Sequence, residues 1–250
     1  HLSYARDYIE RVSGFSFAEC IERAVWVASL QRLYVSVQPA NSAFARRRLV
    51  WFEPGANLRS DWNSGVERAV EAFDVLAVEG NRALDDRWLA LSTLQPEGFY
   101  GLAVLDLQTS EVIEIANDLM DAPEPVWQLG GRRLLWNAPW QGRLAVWSVE
   151  WPNDPSQAPL EIERLVAFDE PVQVAGMLGD SLLVERGQVG DAEDGSLEIG
   201  WVHLMDRLRF EPVTVNEWND HEATLSTDGR RICWTSEAQG HYRSSVHVLE

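Results

Sequence analysis

Ionisable side chains cluster in three segments that lead into predicted strands. In chain order they are Asp118, Asp121, Glu124, Asp169, Glu170, Glu217, Asp220 and His221. If the three segments share one face of the fold, their carboxylates create a negative potential that attracts a cation or a basic peptide. The alternative is an ordinary solvated surface, because acidic residues are common in this chain and usually lie in loops.

Two tryptophans stand in predicted loops close to these acids. Trp140 belongs to the loop 138–141, and Trp218 lies two residues before Asp220. Exposed aromatic rings anchor protein partners or stack on sugars, although a loop tryptophan also folds back onto its own sheet. The candidate binding residues are therefore Asp118, Asp121, Asp169, Glu170, Trp140, Trp218, Asp220 and His221.

Motifs for nucleophilic, phosphate or zinc chemistry are absent from the sequence. The segment 179–183, GDSLL, lacks the final glycine of GxSxG, and neither GxxxxGK[ST] nor HExxH occurs. The segment 190–195, GDAEDG, departs from the acidic spacing of a calcium loop. Of the five histidines only His221 precedes a predicted innermost strand, so we expect no metal site and no cofactor.

The charge balance narrows the class of partner. The chain has 21 basic and 39 acidic residues, a net charge of −18, and every basic residue is Arg. Such a surface repels phosphate, so we expect no nucleic-acid partner and favour a protein or peptide, in particular a basic one. No apolar run reaches the roughly 18 residues of a membrane span, so no membrane insertion is expected. The chain starts at His1 without a signal pattern, and any targeting signal is expected to lie outside it.

The elements that must position these residues repeat along the chain. Apolar strands recur in the order strand, turn, strand, polar loop, strand, and the second strands of successive units start about 50 residues apart, the period of a propeller blade. These second strands start at Arg32, Trp88, Arg132, Ser181 and Arg230. Runs such as LLW and LAVLDL show little polar alternation, which indicates strands buried on both faces.

The repeat predicts an all-β fold, a single β-propeller domain over residues 1–250 with about five four-stranded blades. The predicted blades are 24–73, 74–116, 125–167, 171–215 and 221–250. The fifth blade lacks a fourth strand, and residues 7–12 form an unpaired strand near the N-terminus. We therefore expect residues 7–12 to pair with the C-terminal blade and close the ring, since this removes two open edges. Six blades remain an alternative.

Two local features fall outside the repeat. Ser16 and Glu19 have the spacing of a capping box, which predicts one short helical turn over residues 16–23. Cys20 and Cys233 are far apart and lack CxxC spacing, so they are either two small buried side chains or the partners of one disulfide.

Two segments of the sequence resemble a known repeat. The segments HEATLSTDGRRICWTSEAQG, 221–240, and DDRWLALSTLQPEGFYGLAVLDLQTSEV, 85–112, resemble the TolB-like or PD40 β-propeller repeat, with its Ser-Pro-Asp-Gly turn, basic residue and apolar strand. Thr227 replaces the signature proline. The resemblance implies a propeller and is compatible with a periplasmic location. The same repeat occurs in binding scaffolds, in peptidase propeller domains and in some lyases.

These observations predict a non-enzymatic propeller that binds a protein or peptide through its acidic face. The alternative is a carbohydrate-active propeller enzyme of glycosidase or lyase type. A glycosidase would need two carboxylates about 5–10 Å apart across a central cavity. Asp169 and Asp220 are the candidates for such a pair.

Overall fold

The structure is a computed structural model, and it describes residues 19–39, 48–52, 74–80, 87–95, 97–155, 159–187, 196–206, 208–237 and 245–249. All regular elements in these residues are β-strands. A search of the same residues finds no helix with the length and hydropathy needed to cross a membrane. The chain forms two compact units, His1–Pro125 and Val126–Glu250.

The first unit contains two antiparallel sheets. Its strands are β1 Glu19–Val27, β2 Arg32–Pro39, β3 Arg48–Phe52, β4 Asp74–Gly80, β5 Trp88–Leu94, β6 Tyr100–Asp106 and β7 Val112–Leu119. They pair in the orders β1-β2-β3 and β4-β5-β6-β7, which is the up-and-down order of a propeller blade. The predicted fourth strand of the first blade, 66–73, and the predicted closing strand, 7–12, lie outside the described residues.

The second unit contains the remaining strands. They are β8 Val126–Leu129, β9 Arg133–Trp140, β10 Arg143–Glu150, β11 Ile162–Phe168, β12 Val172–Leu178, β13 Ser181–Gly187, β14 Leu197–His203, β15 Arg209–Pro212, β16 Asp220–Leu225, β17 Ile232–Ser236 and β18 Ser245–Leu249. Strands β8–β11 and β12–β15 form two four-stranded meanders, joined by a short parallel pairing of β8 with β12. Strands β16-β17-β18 form a third antiparallel sheet.

The predicted helical turn over 16–23 is wrong for residues 19–23, the part of it that the structure describes. Residues 19–23 belong to β1, whose ladder with β2 runs from Glu19 opposite Pro39 to Val27 opposite Arg32. An isolated helical turn is unfavourable because it orders several residues for one hydrogen bond. Pairing with β2 instead gives these residues backbone hydrogen bonds across the ladder.

The middle strands carry the core. Six of the seven residues of β5, WLALSTL, and six of the seven of β6, YGLAVLD, are buried, with no alternation of exposed positions. In the first unit Leu89, Leu91 and Leu105 pack with Val27 and Leu49. In the second unit one cluster includes Leu135, Val146, Val174, Leu182 and Val202. Burial on both faces explains why these strands are apolar runs.

A backbone hydrogen bond closes the turn between β16 and β17. The Ser226 N–H donates to the Arg231 carbonyl, 2.9 Å, so the connection spans four residues. Gly229 has a positive φ, 68°, and its N–H donates to the Ser226 carbonyl, 3.0 Å. The Asp228 carboxylate accepts from the Ser226 hydroxyl, 2.6 Å, and from the Arg230 N–H, 3.1 Å. These two hydrogen bonds hold the pKa of Asp228 below its usual value, and the bond from the Ser226 hydroxyl has the larger effect.

A buried ion pair fixes the end of β6. Asp106 is 3% exposed, and its carboxylate accepts from Arg87 Nε, 2.9 Å, from Arg87 Nη2, 2.5 Å, and from the Gln108 N–H, 2.9 Å. Arg87 also lies over the Trp88 ring, 4.4 Å from its centroid. Burial on its own would raise the pKa of Asp106, but the hydrogen bonds outweigh it and the pKa lies below the usual value.

We predict that Asp106→Asn lowers the free energy of unfolding by about 2 kcal/mol at neutral pH, because it weakens charge-assisted hydrogen bonds. The folded-state pKa is depressed, so this stabilisation is complete above the unfolded-state pKa of about 3.9 and is lost as the pH falls through the folded-state value. Urea denaturation between pH 7 and pH 2 measures the effect. Wild type and variant should converge at acid pH. The exposed Asp121→Asn is the control, and an equal loss in that variant would contradict the assignment.

Candidate functional site

Strand directions bring several predicted site residues to one edge of the second unit. We call this edge the entry rim: it is where β8, β12 and β16 begin and where β9, β13 and β17 end. The antiparallel registers place Val172 opposite Arg186 and Asp220 opposite Ser236. The Leu197 N–H, at the start of β14, donates to Asn219 Oδ1, 3.2 Å, which places the starts of β14 and β16 side by side.

The candidates Asp118 and Asp121 belong to the first unit. Asp118 lies within β7 rather than in a loop, and both carboxylates are exposed. Glu124, also exposed, follows them. The other predicted binding residues all lie in the second unit.

Asp169 and Glu170 both lie at the entry rim and both contact an arginine. Asp169 is an exposed residue whose carboxylate is 2.9 Å from Arg143 Nε. Glu170 Oε1 is 3.4 Å from Arg186 Nη1, and the other terminal nitrogen of Arg186 is 3.6 Å from Glu198 Oε2. The Arg186 guanidinium also stacks on the Phe210 ring, 3.8 Å from its centroid. Sequence reasoning missed Arg186 and Glu198, which lie in strands β13 and β14 of the structure.

Trp140 lies in a strand, contrary to its predicted loop position. It is the last residue of β9 and faces Arg143 across the turn Gln141-Gly142, where φ is 50° and 77°. The Arg164 guanidinium of β11 lies 3.3 Å from the centroid of its ring. Because a cation already occupies one face of the indole, Trp140 is only partly available to a partner.

Trp218 lies in an exposed connection between β15 and β16. Trp218 is 41% exposed and Val215 is 76% exposed. Glu217, which lies between them, is also exposed. The connection is nevertheless held in place. The Thr214 hydroxyl accepts from the Ile199 N–H, 2.9 Å, and the Trp218 N–H donates to Asn216 Oδ1, 2.8 Å.

Asp220 and His221 begin strand β16 and are not loop residues. Asp220 is 1% exposed, and its Oδ2 accepts from Asn216 Nδ2, 2.8 Å. His221 is half-buried, with Nε2 3.8 Å from Glu237 Oε1 and Nδ1 4.0 Å from Glu222 Oε2. The β16–β17 ladder starts at Asp220, and this pairing draws the residue inward from the predicted loop.

Asn219 is a further residue that sequence reasoning missed. Its Oδ1 accepts from Leu197, its Nδ2 donates to Glu237 Oε2, 3.1 Å, and its carbonyl accepts from the Glu237 N–H, 3.0 Å. An asparagine between a tryptophan and an aspartate is a signal for turn chemistry. The distant partners could not be read from the sequence.

The proposed glycosidase pair has two unlike members. Asp169 is exposed and paired with Arg143, whereas Asp220 is buried against Asn216. Nothing in these surroundings favours the carbohydrate-active alternative. Within the described residues, no group of three or more His, Cys, Asp or Glu side chains is arranged to hold a metal ion.

A serine–histidine–carboxylate chain lies at the opposite edge of the second unit. The Ser181 hydroxyl is 2.9 Å from His203 Nδ1, and His203 Nε2 is 3.3 Å from Glu211 Oε2. Ser181 and His203 are direct ladder partners, and the Leu204 N–H donates to the adjacent Asp180 carbonyl, 3.1 Å. Strand register by itself accounts for this chain of contacts, which therefore gives no argument for acyl transfer.

Comparison with known proteins identifies the fold through structure alone. No protein-family model and no curated protein sequence matches the chain. A TolB structure from Agrobacterium tumefaciens is similar at 12% identity and a TM-score of 0.62, covering 93% of this chain and 77% of that one. The β-propeller domain of the trilobed protease from Pyrococcus furiosus is similar at 11% identity and a TM-score of 0.59, covering 92% and 68%.

A second TolB structure, from Acinetobacter baumannii, is similar at 12% identity and a TM-score of 0.55. The match covers 99% of this chain and 55% of that one, so the chain spans about half of that protein's length. At such identities the likeness shows the fold and nothing more. The chain has a TolB-like β-propeller fold, as the repeat and the resemblance predicted. The number of blades and the closure of the ring stay predictions.

We predict that Arg186→Ala lowers the free energy of unfolding by about 3 kcal/mol, because it removes a guanidinium shared by two carboxylates and stacked on Phe210. Arg143→Ala is the matched control, since its ion pair with Asp169 is exposed and should contribute less than about 1 kcal/mol. Chemical denaturation of the two variants measures the difference. Equal losses would show that the Glu170–Arg186–Glu198 contacts do not stabilise the unit.

Proposed function

We propose that this chain is a non-enzymatic β-propeller scaffold that binds a protein or peptide segment with basic residues through its entry rim. Trp218 is the apolar anchor, Glu217 supplies negative charge next to it in the chain, and Asp169 and Glu170 supply negative charge elsewhere on the rim. The single observation that carries the proposal is the exposure of Trp218, 41%, in a connection that hydrogen bonds hold in place. A large aromatic ring that is exposed and preorganised is the typical centre of a binding hot spot.

Charge supports the choice of a basic partner. The chain carries a net charge of −18, and such a surface accelerates encounter with basic segments and disfavours acidic ones. Among the rim acids, Asp169 and Glu170 each contact an arginine, which offsets part of their charge. Glu217 is next to Trp218 in the chain and contacts no arginine among the described residues.

The other candidates take different parts in this proposal. Trp140 is a secondary contact, because Arg164 covers one of its faces. His221, half-buried, flanks the anchor, whereas the buried Asp220 acts behind the surface. Asp118 and Asp121 stay predicted binding residues of the first unit.

We predict that Trp218→Ala weakens peptide binding by about 30-fold, because the indole supplies most of the apolar contact area. A random peptide library is first selected on the wild-type protein, and the enriched peptides should carry an excess of Arg and Lys. Fluorescence anisotropy with each selected peptide then compares wild type, Trp218→Ala and Glu217→Arg at low and high salt. Glu217→Arg should weaken binding mainly at low salt.

The matched control is Met205→Ala, because Met205 is 84% exposed on the opposite edge of the same unit. This variant should bind every selected peptide as the wild type does. Selected peptides without a basic excess would contradict the proposed partner class. Peptides that bind Trp218→Ala as tightly as wild type would contradict the proposed anchor.

A further inference from the structure

We infer that Asp220 and Asn216 are positioning residues that hold Trp218 at the entry rim, and that the buried Asp220 does so without touching the partner. This inference rests on the proposed function of Trp218 as the anchor. It assigns to Asp220 a role different from the direct contact that its predicted loop position suggested.

The Asn216 side chain links the buried carboxylate to the anchor. Its Nδ2 donates to Asp220 Oδ2, 2.8 Å, and its Oδ1 accepts from the Trp218 N–H, 2.8 Å. Rotating this amide by 180° would turn its oxygen toward the carboxylate and its NH2 toward the N–H group, so both bonds would be lost. Asp220 therefore fixes the orientation of Asn216, and Asn216 fixes the backbone at Trp218. We call these two residues the brace.

The environment of Asp220 Oδ1 indicates that this residue costs stability. Asp220 is 1% exposed, and its Oδ1 is buried without a hydrogen-bond partner among the described residues. A buried polar oxygen that no donor satisfies costs free energy of folding. Residues that break this rule are expected where a protein gives up stability for function.

The chain on the other side of Trp218 is also fixed. Asn219 is bonded through its amide and its carbonyl to Leu197 and Glu237. Trp218 thus lies between two residues held by hydrogen bonds, Asn216 and Asn219, while it is itself 41% exposed. An anchor ordered before binding loses less conformational entropy when the partner arrives, which increases affinity.

Fluorine NMR on protein labelled with 5-fluorotryptophan tests the brace without any partner. Trp218→Phe assigns the Trp218 resonance. Asp220→Ala and Asn216→Ala should each move this resonance toward the shift of the unfolded protein, while the other tryptophan resonances stay in place. Asp220→Asn should keep the wild-type resonance, because its amide oxygen can still accept from Asn216.

Ser236→Ala is the matched control. Ser236 is 3% exposed and pairs with Asp220 in the β16–β17 ladder, but it is not part of the brace. This variant perturbs the same buried edge and should leave the Trp218 resonance unchanged.

A binding measurement with a peptide selected on the wild type completes the test. Asp220→Ala should lower the affinity for that peptide about 10-fold, and Asp220→Asn should bind it with wild-type affinity. In the Trp218→Ala background Asp220→Ala should cause no further loss, since the brace acts only through the anchor.

The outcomes separate the brace from the proposed function. A Trp218 resonance that is unchanged in Asp220→Ala, or that moves equally in Ser236→Ala, would overturn the brace. A resonance that moves as expected while peptide affinity stays at the wild-type value would support the brace and overturn Trp218 as the anchor.

Discussion

Burial of the middle strands on both faces is the constraint on which the rest of this structure depends. Strand β5 is buried on both faces, so its side chains are largely apolar, and its peptide groups bond to the strands on either side of it. In such middle strands the charged residues lie at or near the ends, as Asp106 does in β6 and Arg143 does in β10. Those that are partly buried there need a partner, as Asp106 has in Arg87 and Glu170 has in Arg186.

Trp140 and Trp218 differ in how far their rings are exposed. Both are tryptophans at the rim of the second unit, and both were expected in loops. Strand β11, two strands away from β9 in the same sheet, supplies Arg164 to cover Trp140. Trp218 lies outside the strands of the described residues and is exposed. Aromatic residues at one rim thus differ in exposure according to which side chains pack on them. The asparagines beside Trp218 order its backbone and leave the ring exposed.

The fold was predictable because its signal is periodic and local. The strands of the second to fifth predicted blades lie close to their expected positions, since apolar runs, turn residues and a period of about 50 residues recur along the chain. Errors fell at the ends of elements. Residues 19–23 join a ladder whose partner strand lies further along the chain, and β9 extends to Trp140 because β10 continues the pairing.

The sequence by itself determined the all-β repeat, the acidic surface and the set of candidate residues, because composition and period do not depend on contacts between distant residues. Only the tertiary structure decided which candidates are exposed. It buries Asp220 against Asn216, covers Trp140 with Arg164 and joins Glu170 to Glu198 through Arg186. These outcomes follow from strand register and from partners on other strands. A short window of sequence carries no information about either, so burial and partnership of single polar side chains could not be predicted.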